Sequence, residues 1–374
     1  EKMISDKVLI LFPYEININN GGPSGFLAHN LLDKPRDCFV LSQDIIKTSP
    51  EKITKKFDYL IKRILFLWKN RGKEKRKQKE EFFYKYYFEK SEAKNYRYIF
   101  FHETIYFERF RKYISDNQVI ILQSHSPEIP SVEYRNWAPL NTEEISFREK
   151  AEKEAFKRAG IIVFPNEGCV SIYETLVTDR SKIKYILSGA KKDYNNDGKN
   201  SYELPEDKIN LMYIGRRNKI KGFDIVLETF RKAREKRKDI NLVIIGNGEK
   251  INEEGITDIG FSKNPIGWYN SADYLINANR QSYFDLSVIE ALTTGIPIIM
   301  ADNFGHGYYK GKSSLIKTFD VDSPDELYEI LTGNLEKRDY RRRENMELYE
   351  KNLTDGCYYE RFKKFVREIR DTEG

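Results

Sequence analysis

Short runs of β-branched and aromatic residues alternate along the chain with longer stretches whose apolar positions recur every three or four residues. In the first half the short runs are Lys7–Phe12, Cys38–Leu41, Tyr98–Phe101, Val119–Leu122, Ile161–Phe164 and Lys184–Leu187. In the second half they are Asn210–Ile214, Asn241–Ile245, Tyr274–Asn277 and Ile296–Met300. Phe223, Val226, Leu227 and Phe230 show the spacing of the intervening stretches, which is that of a helix with one apolar face. Strands alternating with helices predict parallel α/β units. No internal repeat of domain-building length is visible.

The pattern breaks from Ser188 to Asp207, where Gly189, Lys191, Lys192, Asp193, Asn195, Asn196, Asp197, Gly198 and Pro205 stand among few apolar residues. That composition reads as an interdomain linker, and a new strand pattern starts just after it. The expected organisation is a Rossmann-like domain over 1–190, a linker over 191–207, a second Rossmann-like domain over 208–356, and a C-terminal helix over 357–374. Tyr358, Phe362, Phe365, Val366 and Ile369 give that helix an apolar face suited to packing back on the first domain. Ligands of doubly wound sheets bind at the carboxyl ends of the strands, so two facing sheets would hold a ligand in the cleft between those ends.

Composition narrows the class. The chain has 374 residues, which favours two domains, and 40% are hydrophobic, which is enough for substantial cores. Basic residues number 64 and acidic residues 58, a net charge of +6 that does not by itself point to nucleic acid. Cys38, Cys169 and Cys357 are far apart and form neither a metal-ligand pattern nor a disulfide framework, which fits a reducing cytoplasm. No apolar stretch approaches the roughly 20 residues that span a bilayer, and Val8–Phe12 is too short for a signal-peptide core. Any membrane role would be peripheral.

Three segments could carry chemistry. Asn19-Asn20-Gly21-Gly22-Pro23-Ser24-Gly25 follows the first strand and precedes a helix, where glycine lets the backbone approach a ligand and helix N–H groups face it. A plain tight turn capped by Ser24 is the alternative. Gly215-Arg216-Arg217-Asn218-Lys219-Ile220-Lys221-Gly222 places four cations in a glycine-bounded loop at a strand end, which suits a diphosphate, although charge runs are more often merely solvated. Ser282-Tyr283-Phe284-Asp285-Leu286-Ser287-Val288-Ile289-Glu290-Ala291-Leu292 opens a helix near Leu286 or Ser287. The start of that helix could receive phosphate or sugar oxygens, and Glu290, one turn in, could accept both ribose hydroxyls. A surface glutamate favoured by the helix dipole is the alternative for Glu290. Of the histidines His29, His102, His125 and His306, His125 and His102 each follow a strand directly. No Ser–His–Asp triad, zinc site or Walker loop is present.

Taken together, Gly215 to Pro297 resembles the GT-B-fold retaining glycosyltransferases of glycosyltransferase family 4 (glycosyl transferases group 1). The resemblance rests on Gly215, Arg216, Lys221 and Gly222, then Gly246-Asn247-Gly248, Gly260-Phe261, Tyr269 with Ala272 and Asp273, Glu290-Ala291 and Gly295-Ile296-Pro297, in that order and spacing. In the first half Gly21-Gly22 and His125 look like that family's glycine loop and sugar-contacting histidine. The resemblance implies a GT-B fold and metal-independent hexosyl transfer from a nucleotide-sugar, a UDP-sugar foremost, with no bound cofactor. It implies that Arg216 and Lys221 hold the donor diphosphate and stabilise the leaving nucleotide. Gly215, Leu286, Ser287 and Glu290 would line the donor site, with Glu290 on the ribose, and His125 would contact the transferred sugar beside Gly22. The family's first acidic residue is replaced by Ser282, and its Gly-Phe-Gly by Tyr283-Phe284-Asp285, so Asp285 is expected to supply the sugar-facing carboxylate; helix capping is its plainer role.

The expected acceptor is a glycan, a lipid-linked sugar or a protein, in bacterial surface-glycan synthesis, in the cytoplasm at the inner face of the membrane. A non-catalytic partner subunit with a degenerate transferase fold is the alternative. Nucleic acid is not an expected partner, because the basic-aromatic region Lys69 to Lys90 also holds Glu74, Glu80, Glu81 and Glu89. Within Ile61 to Phe88, bulky apolar side chains mix with Lys and Arg, which suits either an anionic membrane surface or a helical pair whose aromatics face the core.

Overall fold

The computed structural model describes residues 5–47, 57–69, 75–137, 141–192, 202–337 and 343–371. The chain falls into two compact units: Glu1–Phe164, Tyr173–Leu187 and Tyr358–Gly374 form the first, and Pro165–Ile172 and Ser188–Cys357 the second.

The first unit is built on β1 (Ser5–Ile10), β2 (Phe39–Leu41), β3 (Tyr96–Phe101), β4 (Val119–Leu122), β5 (Ile161–Phe164) and β6 (Ile183–Tyr185), in the spatial order β2-β1-β3-β4-β5-β6. Every pairing is parallel. Val8, Leu9, Ile10, Phe100, Ile120 and Ile121 are wholly buried, and runs apolar at successive positions require cover on both faces of the sheet. Parallel neighbours also need long crossovers. These contain α1 (Gly22–Asn30), α2 (Ser42–Ile46), α3 (Phe57–Lys69), α4 (Lys75–Lys90), α5 (Thr104–Phe110), α6 (Pro130–Trp137) and α7 (Thr142–Arg158).

The second unit repeats the plan with β7 (Ile209–Ile214), β8 (Ile240–Ile245), β9 (Ile256–Gly260), β10 (Tyr274–Asn277), β11 (Ile298–Ala301) and β12 (Ile316–Phe319), ordered β12-β11-β10-β7-β8-β9 and parallel throughout. Its helices are α8 (Phe223–Lys236), α9 (Pro265–Ser271), α10 (Leu286–Thr293), α11 (Pro324–Thr332) and α12 (Arg343–Asn352). α8 turns Ile225, Val226, Phe230 and Ala233 into a core with Leu211, Tyr213, Leu242 and Ile244. Each large side chain so buried contributes roughly 1.5–3 kcal/mol. The edge strands β9 and β12 carry polar residues such as Asp258, Lys317 and Thr318, so neither stands out as a continuous apolar run.

Two segments depart from the serial arrangement that the sequence predicts. Pro165–Ile172, inside the expected first domain, belongs to the second unit, where Asn166 Nδ2 donates to the Gly305 carbonyl at 3.0 Å and the Cys169 thiol to the Tyr283 carbonyl at 2.6 Å. Ser188–Ala190 also belongs there, and the Ala190 amide donates to the Leu353 carbonyl at 2.9 Å. Of the expected linker, 193–201 lies outside the described residues. The final helix, α13 (Asp355–Asp371), contributes its residues from Tyr358 onward to the first unit. There Phe362 stacks on Phe100 at 6.2 Å and the Tyr98 hydroxyl donates to the Ile369 carbonyl at 3.2 Å.

Each strand order reverses once, between β1 and β3 in the first sheet and between β7 and β10 in the second. At such a reversal the flanking loops diverge to opposite faces and leave a crevice at the carboxyl ends of the strands.

Candidate functional site

In the second unit the crevice lies between the loop after β7 and the loop after β10. Gly222 fixes their distance: its φ is +66°, and a Cβ there would lie 1.9 Å from the Ala278 carbonyl oxygen, so no side chain fits. The Arg280 amide donates to the Ile220 carbonyl at 2.9 Å, and the Arg280 guanidinium grips Asp224 through two 2.7 Å bonds. The two loops are thus tied by backbone and by a fork-to-carboxylate pair.

This tie sets Lys221 opposite Asp285. Lys221 Nζ lies 3.0 Å from Asp285 Oδ2, and Asn279 Nδ2 donates to the same oxygen at 2.5 Å. Burial alone would push the Asp285 carboxyl up, but the Lys221 charge, His306 and these hydrogen bonds outweigh it and hold it below its ordinary value. The Asp285 amide donates to His306 Nε2 at 3.3 Å, so that nitrogen is unprotonated. Burial pushes His306 down to about 4. Asp285 occupies the N-cap position of α10, yet its side chain makes no capping hydrogen bond; the carboxylate is turned toward Lys221 and Asn279 instead.

Gly215 directly follows β7, with its amide on the Ile245 carbonyl at 3.0 Å, and Arg216 comes next as an exposed side chain. Leu286 and Ser287 open α10, and Glu290 stands one turn further along it, half-buried. The second unit thus places Gly215, Arg216 and Lys221 on the loop after β7 and Asp285, Leu286, Ser287 and Glu290 at the start of α10, with Lys221 and Asp285 in direct contact. Ser282 is wholly buried, and its hydroxyl has no hydrogen-bond partner, so it does not present a polar group to that crevice.

The four-cation loop needs a correction. Arg217 is not available to a ligand, because its guanidinium bonds Asp258 at 2.8 and 2.5 Å and the carbonyls of Gly246 and Glu249 at 3.2 and 2.6 Å. Asp258 also accepts from the Ile251 and Gly260 amides at 2.8 and 3.1 Å. Arg217 and Asp258 side chains are 6% and 1% exposed, so this pair is a buried tie between the loops after β7 and β8 and the strand β9.

The first unit holds the other two expected site residues. Gly22 has φ +63° at the start of α1, and the place a Cβ would take is open. His125 follows β4; its Nε2 lies 2.9 Å from His102 Nδ1, and its ring packs 4.5 Å from Phe26. Burial holds His125 down to about 3 and His102 well below its ordinary value, so both rings are neutral at physiological pH. Glu103 Oε1 accepts from the His125 amide at 3.4 Å, and burial pushes the Glu103 carboxyl up to about 7. A cavity of about 380 Å³ adjoins these groups, lined by Pro23, Glu103, Tyr106, Ser126, Glu133 and Arg148 among others. Sequence reasoning passed over Glu103, Asn279 and His306; the strand-end position of Glu103 was the available signal, while nothing local marks the other two.

Residues 208–333 match the family model described as glycosyl transferases group 1. That stretch is about a third of the chain. Over part of its length the chain is similar to a Klebsiella pneumoniae protein described as an uncharacterized 41.2 kDa protein in the cps region, 30% identical over 132 residues, which cover 32% of this chain and 36% of that one. It is also similar to the Escherichia coli O-antigen biosynthesis glycosyltransferase WclY, 26% identical over 142 residues, covering 35% and 38%. The matched stretches thus span little more than a third of these relatives' own lengths. The structure of Anabaena Alr3699/HepE in complex with UDP aligns over 97% of this chain and 100% of that one, with a TM-score of 0.64 at 12% identity. That likeness establishes the GT-B fold for the two units.

Within the matched stretch several motif residues turn out to be structural. Asp273 Oδ2 accepts from the Asn210 amide at 2.7 Å and so anchors the start of β7. Tyr269 is wholly buried and donates to the Ser287 carbonyl at 3.2 Å, which supports the first turn of α10 from below.

Proposed function

We propose that the protein is a retaining glycosyltransferase that moves a hexose from a nucleotide-sugar, a UDP-sugar foremost, to a glycan, lipid-linked or protein acceptor in bacterial surface-glycan synthesis. The observation that carries this is Lys221 held 3.0 Å from Asp285 at the switch point of the sheet, within the stretch that matches the group 1 glycosyl transferases. There a donor diphosphate would take Lys221 and Arg216 as its cations, and first-turn amides of α10 as hydrogen-bond donors. Glu290 would accept the ribose hydroxyls. As the glycosidic bond breaks, negative charge grows on the departing phosphate, and cations already placed there lower the barrier without a metal. Asp285, released from Lys221, would face hydroxyls of the transferred sugar. His125 would meet the sugar as a neutral ring beside Gly22, and the cavity at Glu103 would take the acceptor. The cps-region and O-antigen relatives support a surface glycan, and the UDP in the HepE structure supports a uridine donor. The reaction would run at the inner face of the membrane.

The buried Ser282 favours a second reading, a partner subunit that binds nucleotide without turning it over. Incubating the protein with UDP-, GDP-, ADP- and CMP-sugars separates the two. The proposal expects stabilisation by one nucleotide, slow hydrolysis of its sugar donor, and release of the sugar with the donor's anomeric configuration. Stabilisation without hydrolysis would favour the partner subunit, and neither effect would refute both.

A further inference from the structure

Lys221 and Asp285 cancel one another's charge largely out of water, with side chains 18% and 15% exposed and 3.0 Å between them. A diphosphate seated there would upset that balance. It brings two negative charges, while Lys221 and Arg216 bring two positive ones, so the Asp285 carboxylate becomes one negative charge too many. This holds whether Lys221 leaves Asp285 or bridges it to the phosphate. A buried charge without a counter-charge is costly enough that the group changes its protonation instead.

The groups that meet Asp285 come from several parts of the second unit. Lys221 reaches it from the loop after β7 and Asn279 from the loop after β10. Cys169 from Pro165–Ile172, Tyr269 from α9 and Tyr309 from the turn after β11 lie within reach of its charge. Burial pushes the Cys169 thiol up to about 12 and both tyrosine hydroxyls well above their ordinary value, so at neutral pH all three already hold their protons. Glu290, one turn along α10, is half-buried and partly screened by water. His306 differs from all of these. It is wholly buried, its Nε2 accepts from the Asp285 amide at 3.3 Å, and its Nδ1, which must then carry the ring's proton, makes no hydrogen bond. Buried N–H groups without an acceptor are rare, and packing alone does not require one here. Burial pushes His306 down, the Asp285 charge pushes it up, and the Lys221 charge pushes it down again. Drawing Lys221 toward a phosphate and adding the phosphate's own charge both act toward protonation.

We propose that the Asp285–His306 pair takes up one proton as the donor diphosphate engages Lys221, so that His306 is the positioning residue that holds Asp285 in place while its lysine changes partner. In such a pair the proton belongs to both groups. The proposal rests on the diphosphate reading of Lys221 given above and adds proton coupling to it. The test is titration calorimetry of UDP into the full chain at pH 6.5, in two buffers of different ionisation enthalpy, for the wild type, Asp285→Asn and His306→Gln. The heat difference between buffers counts protons, and any proton change on the UDP phosphate is common to all three proteins. The wild type should take up close to one proton more per UDP than Asp285→Asn, which has no buried charge to compensate. His306→Gln keeps an acceptor for the Asp285 amide but cannot titrate, and its uptake should fall to half the wild-type value or less. Proton uptake also requires that wild-type affinity relative to Asp285→Asn rise as pH falls, by roughly tenfold from pH 8 to pH 6. UDP bound with equal uptake by the wild type and Asp285→Asn would overturn the proposal and leave the nucleotide site standing. Undiminished uptake by His306→Gln would overturn the part given to His306. No UDP binding by the wild type would end both the proposal and the nucleotide reading beneath it.

Discussion

A lysine whose charge is already matched by a carboxylate can receive a diphosphate only by exchanging partners. Lys221 is in that position, and Arg216 is exposed on the same loop. Lys221→Ala and Arg216→Ala should each weaken nucleotide binding and lower turnover more strongly, by roughly 10²–10³-fold, since the charge they meet grows in the transition state. Titration calorimetry and a donor-hydrolysis rate measured on both variants check this; unchanged donor kinetics in both would remove them from the site. Asp285→Asn separates two roles for one carboxylate. A sugar contact predicts lower turnover with nearly intact affinity for free UDP, while Glu290→Ala should do the reverse and raise the UDP dissociation constant. A cap would instead predict a loss of about 1 kcal/mol of stability at a normal rate, and the absence of a capping bond at Asp285 argues against it. The histidines give a pH dependence. His125 and His306 are held down to about 3 and about 4, against 6.5 for an ordinary histidine. Below about pH 6.5 the unfolded chain therefore binds more protons, and stability should fall as pH drops toward 4. Glu103, pushed up from 4.5 to about 7, binds its proton in the folded state and opposes that slope over the same range. Melting temperatures from pH 7 to about 4.5 should decline, and His125→Gln should flatten the decline. The placement of Lys221 in a strand-end loop and of Asp285 and Glu290 at a helix start was legible because residue type and spacing along one loop or one helix turn carry it. The roles of Asn279 and His306 were not, because only the folded loops bring them to Asp285.

Elements hold this arrangement through a few fixed points. Gly222→Ala would force a left-handed backbone on a residue with a Cβ, at about 1–3 kcal/mol, and would also drive that Cβ into the Ala278 carbonyl. It should lower the melting temperature and donor turnover together, because the loops carrying Lys221 and Asp285 are displaced; a normal melting point with normal turnover would show that the loops tolerate separation. The Arg217–Asp258 pair makes a sharper case. Arg217→Ala leaves a buried carboxylate without its cation and should cost about 3–5 kcal/mol. Arg217→Lys keeps the charge but loses the fork and should recover only part of it. The strands of both sheets were readable as apolar runs, with β9 and β12 the exceptions, because edge strands with a polar face lack such a run. That Arg217 is structural was hidden, since its partner Asp258 lies on a strand that only the fold brings alongside. The sequence left the aromatics between Ile61 and Phe88 open between core and membrane; the structure divides them, with α4 aromatics inside and α3 aliphatics outside.

At the scale of the whole molecule, two parallel sheets in series were legible from alternation alone, and the likeness to group 1 glycosyl transferases from motifs mostly in the second. The exchange of Pro165–Ile172 and of the chain end from Tyr358 was less so, because Pro165–Ile172 has no compositional signal, whereas α13 at least shows an apolar face. Metal independence belongs to this scale as well. Asp320-Val321-Asp322 follows β12, and its first carboxylate is occupied by the Asp322 amide at 2.9 Å, so this acidic pair shapes a turn before α11. Donor hydrolysis should survive EDTA; complete loss restored by manganese or magnesium would require a different account of the phosphate charge. The central claim is that the strand-end crevice of the second unit binds and activates a nucleotide-sugar. Its most direct test is a thermal shift of the wild type and Lys221→Ala with UDP and UDP-sugars, read beside sugar release. The account predicts a clear rise for the wild type, equivalent to about 2.7 kcal/mol at a hundredfold excess over the dissociation constant, together with slow release of sugar from one donor, and loss of both in Lys221→Ala. A wild type indifferent to every nucleotide, or a Lys221→Ala variant that responds and turns over like the wild type, would contradict it.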